Sequence, residues 1–460
     1  MEPTVRSFSA EFDPLWLISR YPGCYPGILE SGSREQLGGV TALKLGDDSR
    51  YDILPIANGE FLSLDSNAVQ GGTAPPAAAG FLAALDHWMA TAPATSLTDA
   101  TELPFRGGWL VYLGYEIAGE VEPALQLPRS ADRYAALALR TPAAWVRDRR
   151  TSQGWLIAEP GNDHLLDRFE LHAATVPVLV PSSPLRFDIA EEEPALFETR
   201  VRRALEYIAA GDIYQANLSR GWRASDSRAI DPVAVYRRLR AANPGPFSAL
   251  LRWGEFAVMS SSPERLVNSD GRRVTSRPIA GTRPRGADAE ADAALIRQLL
   301  DNEKERAEHV MLIDLERNDL GRICIGGSVK VDEFMSVESY AHVHHIVSNV
   351  SGLLRPGTSS VDIVRAVFPG GTITGCPKFR CMQIIAELEE HGRGAYTGSL
   401  GYINRDGSLD FNILIRTMSL NGNELHFRAG AGIVADSIPD RELAETRAKA
   451  EGLLRALNSR

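Results

Sequence analysis

The chain has 460 residues and a formal net charge of −10, with 44% apolar and 23% charged side chains. That length and balance suit a soluble globular protein with a core large enough for one big domain or two fused lobes. The acidic surplus, with no long Lys/Arg run, argues against nucleic acid or an anionic membrane as partner, so an anion bound here needs a local cluster of donors or a metal.

The opening segment, MEPTVRSFSAEFDPLW, has no basic stretch leading into an apolar core. No run of about 18 uncharged apolar residues follows anywhere. Both features predict a cytosolic protein. Cys24, Cys324, Cys376 and Cys381 form no CxxC and read as buried free thiols.

Taken in chain order, the first half holds short apolar runs broken by Gly and Pro. Gly71 to Gly80 reads as a loop or helix lead-in, and Gly108–Tyr112, Ala144–Val146 and Trp155–Ile157 read as strands. The proline-rich Val176–Pro184, opening onto an acidic EEEP, marks the best lobe boundary. We expect an N-terminal lobe over 1–180 and a second region over 190–460, packed as one globular unit. Leu196, Val201, Leu205 and Ile208 recur at one-turn spacing and predict a helix stopped by Gly211. Strands follow at Ile213–Leu218 and Phe256–Met259, and helices over Lys304–Leu315, Lys378–Glu390 and Pro439–Leu457. Further strands are expected at Gly398–Ile403, Asn412–Met418 and Leu425–Ala429. Strands and helices alternate without a regular βαβ period, which predicts an α+β layered sandwich with large, mostly antiparallel sheets and helices outside.

The last helix opens with Ser437 as N-cap and Pro439 in its first turn. Glu442, Glu445 and Lys449 then share one face, and on the helix starting near Lys304 so do Glu305 and Glu308. Two such carboxylate pairs suit one Mg²⁺, although a lone ExxE is most often a solvated face. Ala429–Gly432 is a small-residue turn whose amides can approach an anion, a weak signal alone. The run from Phe368 to Lys378 fails as a phosphate loop, because Cys376–Pro377 interrupts it. Arg416, inside the apolar run FNILIRTM, needs a carboxylate partner, either from the protein or from a substrate. His342, His344 and His345 lie in a strand-like run without the spacing of a zinc site, and each reads first as a buried neutral imidazole.

Together these segments resemble the chorismate-utilising family of anthranilate, aminodeoxychorismate, isochorismate and salicylate synthases. The resemblance rests on SSSPERL (260–266), RPIAGTRPRG (277–286), KERAEHVMLIDLERNDLGRI (304–323), HVHHIVS (342–348) and GGTITGCPKFR (370–380). YTGSLGYI (396–403), IRT (415–417), AGAGIVADS (429–437) and ETRAK (445–449) continue it, and FRGGWLVYLGYE (105–116) extends it more weakly into the first half.

The resemblance implies chorismate as substrate and Mg²⁺ as cofactor, held by Glu308 and Glu445 with Glu305 and Glu442 in support. It implies that Tyr396, Arg416, the amides of Gly430, Ala431 and Gly432, and Lys449 hold the substrate carboxylates. Glu264 resembles the general acid beside the departing C4 hydroxyl. His345 resembles the histidine near the ring, and Thr282 and Thr372 flank the same site. Gln215 stands where hydrating members have a lysine that activates water, which favours an ammonia-using member supplied by a separate glutamine amidotransferase subunit. TITGCPK is similar to the aminodeoxychorismate subgroup, on the way to 4-aminobenzoate and folate. Ala280, where many of that subgroup have a nucleophilic lysine, is usual in anthranilate synthases and keeps anthranilate open as product. A ligand-sensing role on the same fold would need degraded acid and metal positions, yet Glu264, Glu308, Glu445 and Lys449 are all present. The chain has no Gly-x-Cys-x-Gly amidotransferase segment of its own, Cys24 having the glycines but not the neighbourhood. Pro26–Ser31 faintly resembles part of a tryptophan site found in the first half of such proteins.

Overall fold

The computed structural model describes residues 3–8, 11–31, 50–65, 68–71, 80–92, 103–177, 185–339 and 343–458. The loop expected within Gly71–Gly80, most of the boundary at Val176–Pro184, and His342 lie outside the described residues.

Two antiparallel sheets of twelve and eleven strands form the body of the molecule. The first begins with Thr4–Ser7, Gly154–Ala158, Ala143–Asp148, Tyr51–Ile56 and Gly27–Glu30. It continues without a break through Phe247–Trp253, Phe256–Ser262, Thr417–Asn421, Glu424–Ile433, Gln215–Ser225 and Asp188–Glu191. In the second sheet Gly108–Leu113 pairs with Ser399–Asn404, with Tyr402 opposite Leu110. Residues from both halves of the sequence therefore share each sheet.

The strands read as continuous apolar runs because both of their faces are covered. In Gly108–Leu113 all six residues are buried. Leu110 and Tyr112 meet Leu251, Phe256 and Val258 of the other sheet. Trp109, Val111 and Leu113 point the opposite way, into a layer with the helices Gly80–Thr91 and Ser360–Val367. On the far face of the first sheet Leu250, Ala257 and Met259 pack with residues of Pro232–Ala242 and Pro439–Asn458. The order of layers is helix, sheet, sheet, helix. Each fully buried Leu or Phe contributes about 1.5–3 kcal/mol, which makes the inter-sheet layer a rigid floor for what lies at its end.

Several elements differ in detail from the sequence reading. The helix expected over Lys304–Leu315 runs Glu303–Gly321, capped by Asn302, whose side chain accepts Glu305 N–H at 3.1 Å. The helix Pro194–Ala209 stops before Gly211 as expected, with Gly211 at φ +79°. Its Leu196 is nonetheless exposed, and Arg200, paired to Glu192 at 2.8 Å, takes a buried place on that face. Ser437 accepts Val434 N–H at 3.1 Å and so closes the preceding turn rather than capping the final helix. Asn412–Met418, expected as one strand, is the end of Leu409–Asn412 and the start of Thr417–Asn421, which belong to different sheets.

Candidate active site

The chain leaves the first sheet at Pro263–Glu264 and returns to it at Ile413–Arg416. These crossings lie side by side, joined by Ile413 N–H to Glu264 C=O at 3.0 Å and Ser261 N–H to Arg416 C=O at 3.1 Å. A strand that changes sheets cannot keep its side chains in the alternating pattern. Glu264 and Arg416 are accordingly turned toward one another's neighbourhood.

Glu264 is buried and accepts the Thr372 hydroxyl at 2.7 Å. Thr372 sits on the single turn Gly371–Ile373. A side chain at Gly371 would begin 3.1 Å from Leu315 Cβ, so glycine eases the close approach of this turn to the long helix. Burial pushes the Glu264 carboxyl up to about 7, against the opposing pull of Thr372, Lys449 and Arg416. A carboxyl with that pKa can deliver a proton at neutral pH.

Arg416 adopts φ +52°, and Thr397, whose N–H donates to Leu414 C=O at 2.8 Å, adopts φ +63°. Such conformations cost about 1–3 kcal/mol each for residues other than glycine and gather where function requires them. The Arg416 guanidinium makes no hydrogen bond or ion pair among the described residues. Burial lowers its pKa, and Glu264 is the one charge pulling it back up. A largely desolvated guanidinium is costly to leave without a partner.

The glycine segment is part of the strand Glu424–Ile433, paired with Gln215–Ser225, and not the turn expected from its composition. On its other side the ladder with Thr417–Asn421 stops at Phe427, leaving the edge from Arg428 onward open to the site. A Cβ on Gly430 would sit 2.6 Å from the Tyr396 hydroxyl, and one on Gly432 would sit 2.5 Å from Gln215 Nε2. At Gly430 the Leu218 carbonyl, also 2.6 Å from that Cβ, leaves no room for a side chain, and at Gly432 a side chain would displace the Gln215 amide. The buried Oε1 of Gln215 and Oδ1 of Asn217 have no hydrogen-bond donor among the described residues.

His345 is buried beside Thr282, with Oγ1···Nδ1 at 3.0 Å. Burial, then the Arg416 charge, lowers its pKa to about 4, so the ring is neutral in the working range. Ala280, on the adjoining strand Ile279–Pro284, is also buried.

The four carboxylates proposed for a metal lie on two helices. Glu308 accepts Gln215 Nε2 at 3.3 Å. Glu305 pairs with Arg283 at 2.7 Å, and its buried Oε2 has no donor among the described residues. Glu445 pairs with Lys449 at 2.7 Å, with both side chains half exposed, and Glu442 lies one turn earlier on the same helix. Among the described residues no three metal-binding side chains are gathered into one cluster.

A family model described as chorismate binding enzyme matches residues 58–455. The chain belongs to the chorismate-binding enzyme family. Aminodeoxychorismate synthase component 1 of Bacillus subtilis (strain 168) is 44% identical over 373 residues, 77% of each chain. Anthranilate synthase component 1 1 of Haloarcula marismortui is 40% identical over 458 residues, covering 94% of this chain and 90% of that one. The crystal structure of anthranilate synthase component I from Streptococcus pneumoniae TIGR4 matches with a TM-score of 0.77 and 31% identity, over 92% of this chain and 96% of that one.

In this chorismate-binding enzyme, Glu264, Thr372, Arg416, His345 and Thr282 come together, with Lys449 close enough to act on Glu264. Tyr396 meets Gly430, and Gln215 meets both Gly432 and Glu308. Asn217 was missed by the sequence reading. Its signal was present, because Gln215, Asn217 and Ser219 alternate with buried Ala216 and Leu218, placing polar groups on the face that carries the glycines. Glu116 and Asp132 were also missed. They accept the N–H groups of Arg393 at 2.7 Å and Ala395 at 2.8 Å and so fix the loop that presents Tyr396. Farther off, Leu29, Glu30 and Ser31 of the segment compared with a tryptophan site line a cavity of about 370 Å³. There Glu30 is already held by Tyr236 and Arg240, each at 2.8 Å.

Proposed function

We propose that this chorismate-utilising enzyme aminates chorismate to 4-amino-4-deoxychorismate, the precursor of 4-aminobenzoate. The observation that carries the reading is Glu264, its carboxyl pKa raised by burial, in the same site as Arg416, whose guanidinium has no hydrogen-bonded carboxylate among the described residues. Arg416 and the open edge at Gly430–Gly432 receive a substrate carboxylate, and Glu264 protonates the departing C4 hydroxyl so that it leaves as water. Ammonia is the incoming nucleophile, because the neutral amide of Gln215 cannot take a proton from water as a lysine can. A glutamine amidotransferase subunit is the proposed source. Chorismate should therefore be consumed when ammonium is supplied, and isochorismate formed without it would overturn the choice of nucleophile.

Mg²⁺ is part of this proposal, and its donor set fits: every candidate ligand is a carboxylate, and Glu305 keeps an unsatisfied buried oxygen one turn from Glu308. Glu308 and Glu445 would hold the ion, which would neutralise part of the substrate's charge. Releasing Glu445 from Lys449 costs little, since exposed i,i+4 pairs are worth only about 0.3–0.5 kcal/mol. Chelation should stop turnover reversibly. Glu445→Gln should raise the Mg²⁺ concentration for half-maximal rate at least about tenfold, as loss of even an outer metal contact does. Unaltered turnover in excess chelator would remove the ion from the account.

Ala280 supports a second reading, anthranilate formation. With no lysine at this position, ammonia or water must reach ring C2, and an ammonia adduct that stays there leads to anthranilate and pyruvate. On our preferred reading the C2 adduct is transient and ammonia displaces it at C4. Ala280→Lys should then keep or raise aminodeoxychorismate formation. Its amine forms the C–N bond at C2 as the C4–O bond breaks, a covalent adduct that mass spectrometry of the stopped reaction detects. A variant that turns over with no adduct and no aminodeoxychorismate would contradict this course.

A further inference from the structure

The strand Val343–Leu353 presents His345 toward the site and therefore His344 toward the opposite face. There His344, with no exposed surface, lies between Ser339 Oγ at 2.7 Å from Nδ1 and Asp292 Oδ1 at 2.8 Å from Nε2. A carboxylate can only accept, so Nε2 carries a proton and donates it to Asp292. Asp292, in the first turn of Ala289–Asp301, also receives Arg285 Nε at 3.0 Å, Arg285 Nη2 at 2.8 Å and Gly286 N–H at 2.7 Å. One carboxylate thus ties together the end of the Ile279–Pro284 segment, the start of a helix and the strand that carries His345. Gly286 shows how closely the parts fit, since a Cβ there would lie 2.2 Å from Asp292 N.

The segment held in this way is also laddered to the strand that carries His345, and its Arg283 pairs with Glu305 at 2.7 Å. Its pairing slips between Ala280 and Thr282, where Gly281 adopts φ +66°, and Thr282 stands opposite His345 in the register. We propose that His344 and Asp292 are positioning residues, whose hydrogen bond sets Ala280 and Thr282 against His345 and thereby against the bound ring. The inference rests on the reading above only in taking Thr282 and His345 to face substrate.

The test is steady-state chorismate consumption with ammonium, a readout that does not depend on which product forms. His344→Leu removes the donor to Asp292 while filling the space. It should lower kcat roughly ten- to a hundredfold, the range expected when reacting groups are misplaced by up to about 1 Å, with KM for chorismate little changed. His344→Gln, whose amide can still donate to Asp292, should recover most of the rate. Asp292→Ala, at a helix start near the surface, should repeat the loss of kcat if His344→Leu does not fold. Native kcat in a folded His344→Leu or Asp292→Ala enzyme, or equal loss in His344→Leu and His344→Gln, overturns the proposal. His345→Ala separates the two ideas: if it too is fully active, the reading of the site fails and not merely the clamp.

Discussion

Glu264→Gln should slow chorismate turnover roughly 10²–10⁴-fold, the usual contribution of a positioned acid, while changing chorismate affinity much less. Glutamine keeps the shape and still accepts the Thr372 hydroxyl, so the loss isolates the proton. The native enzyme should show the same group in its pH profile. With the carboxyl at about 7, the acid is present below that pH and lost above it, so kcat/KM should fall as pH rises through about 7. His345, already neutral above about 4, adds no opposing limb between those values. In Glu264→Gln the alkaline fall should disappear. Turnover at the native rate in this variant would remove Glu264 from the chemistry, and a fall that persists would assign the titration to another group.

Arg416→Met should weaken chorismate binding by about 2–5 kcal/mol, the cost of deleting one partner of a desolvated charge pair. That corresponds to roughly thirty- to several-thousand-fold in KM or Kd. The free protein should not suffer. Its guanidinium has no partner among the described residues, so methionine relieves an uncompensated desolvation, and the thermal midpoint should stay level or rise. Lysine should rescue poorly, since a point charge on a flexible stem cannot reproduce a planar fork. A lowered midpoint with intact chorismate binding would mean that Arg416 serves the fold and not the substrate.

Much of this site was legible because its parts sit in ordinary elements. The periodicity of Glu303–Gly321, Lys378–Glu389 and Pro439–Asn458 is local and so was readable, although the first runs past the expected Leu315 and Ser437 does not cap the last. Arg416 was legible as a residue in need of a carboxylate, but its setting was not. FNILIRTM reads as one apolar strand, and an apolar run says nothing about a change of sheet or a positive φ. The glycines near 430 read as a turn by composition. What crowds them is the Leu218 carbonyl and Tyr396 hydroxyl at Gly430 and the Gln215 amide at Gly432, which arrive from other parts of the chain. The grip of Glu116 on the Arg393 amide joins residues 277 positions apart, and no local pattern encodes it. The carboxylate pairs were legible as helical faces, whereas the Glu445–Lys449 pairing depends on rotamers that spacing leaves open.

The most direct test of the central claim is the product itself. Purified enzyme, chorismate, ammonium and Mg²⁺ are incubated with and without an added aminodeoxychorismate lyase, and the mixture is resolved by chromatography with mass detection. The account predicts 4-amino-4-deoxychorismate without the lyase and 4-aminobenzoate with it. Anthranilate and pyruvate in both samples, with no 4-aminobenzoate, would contradict it.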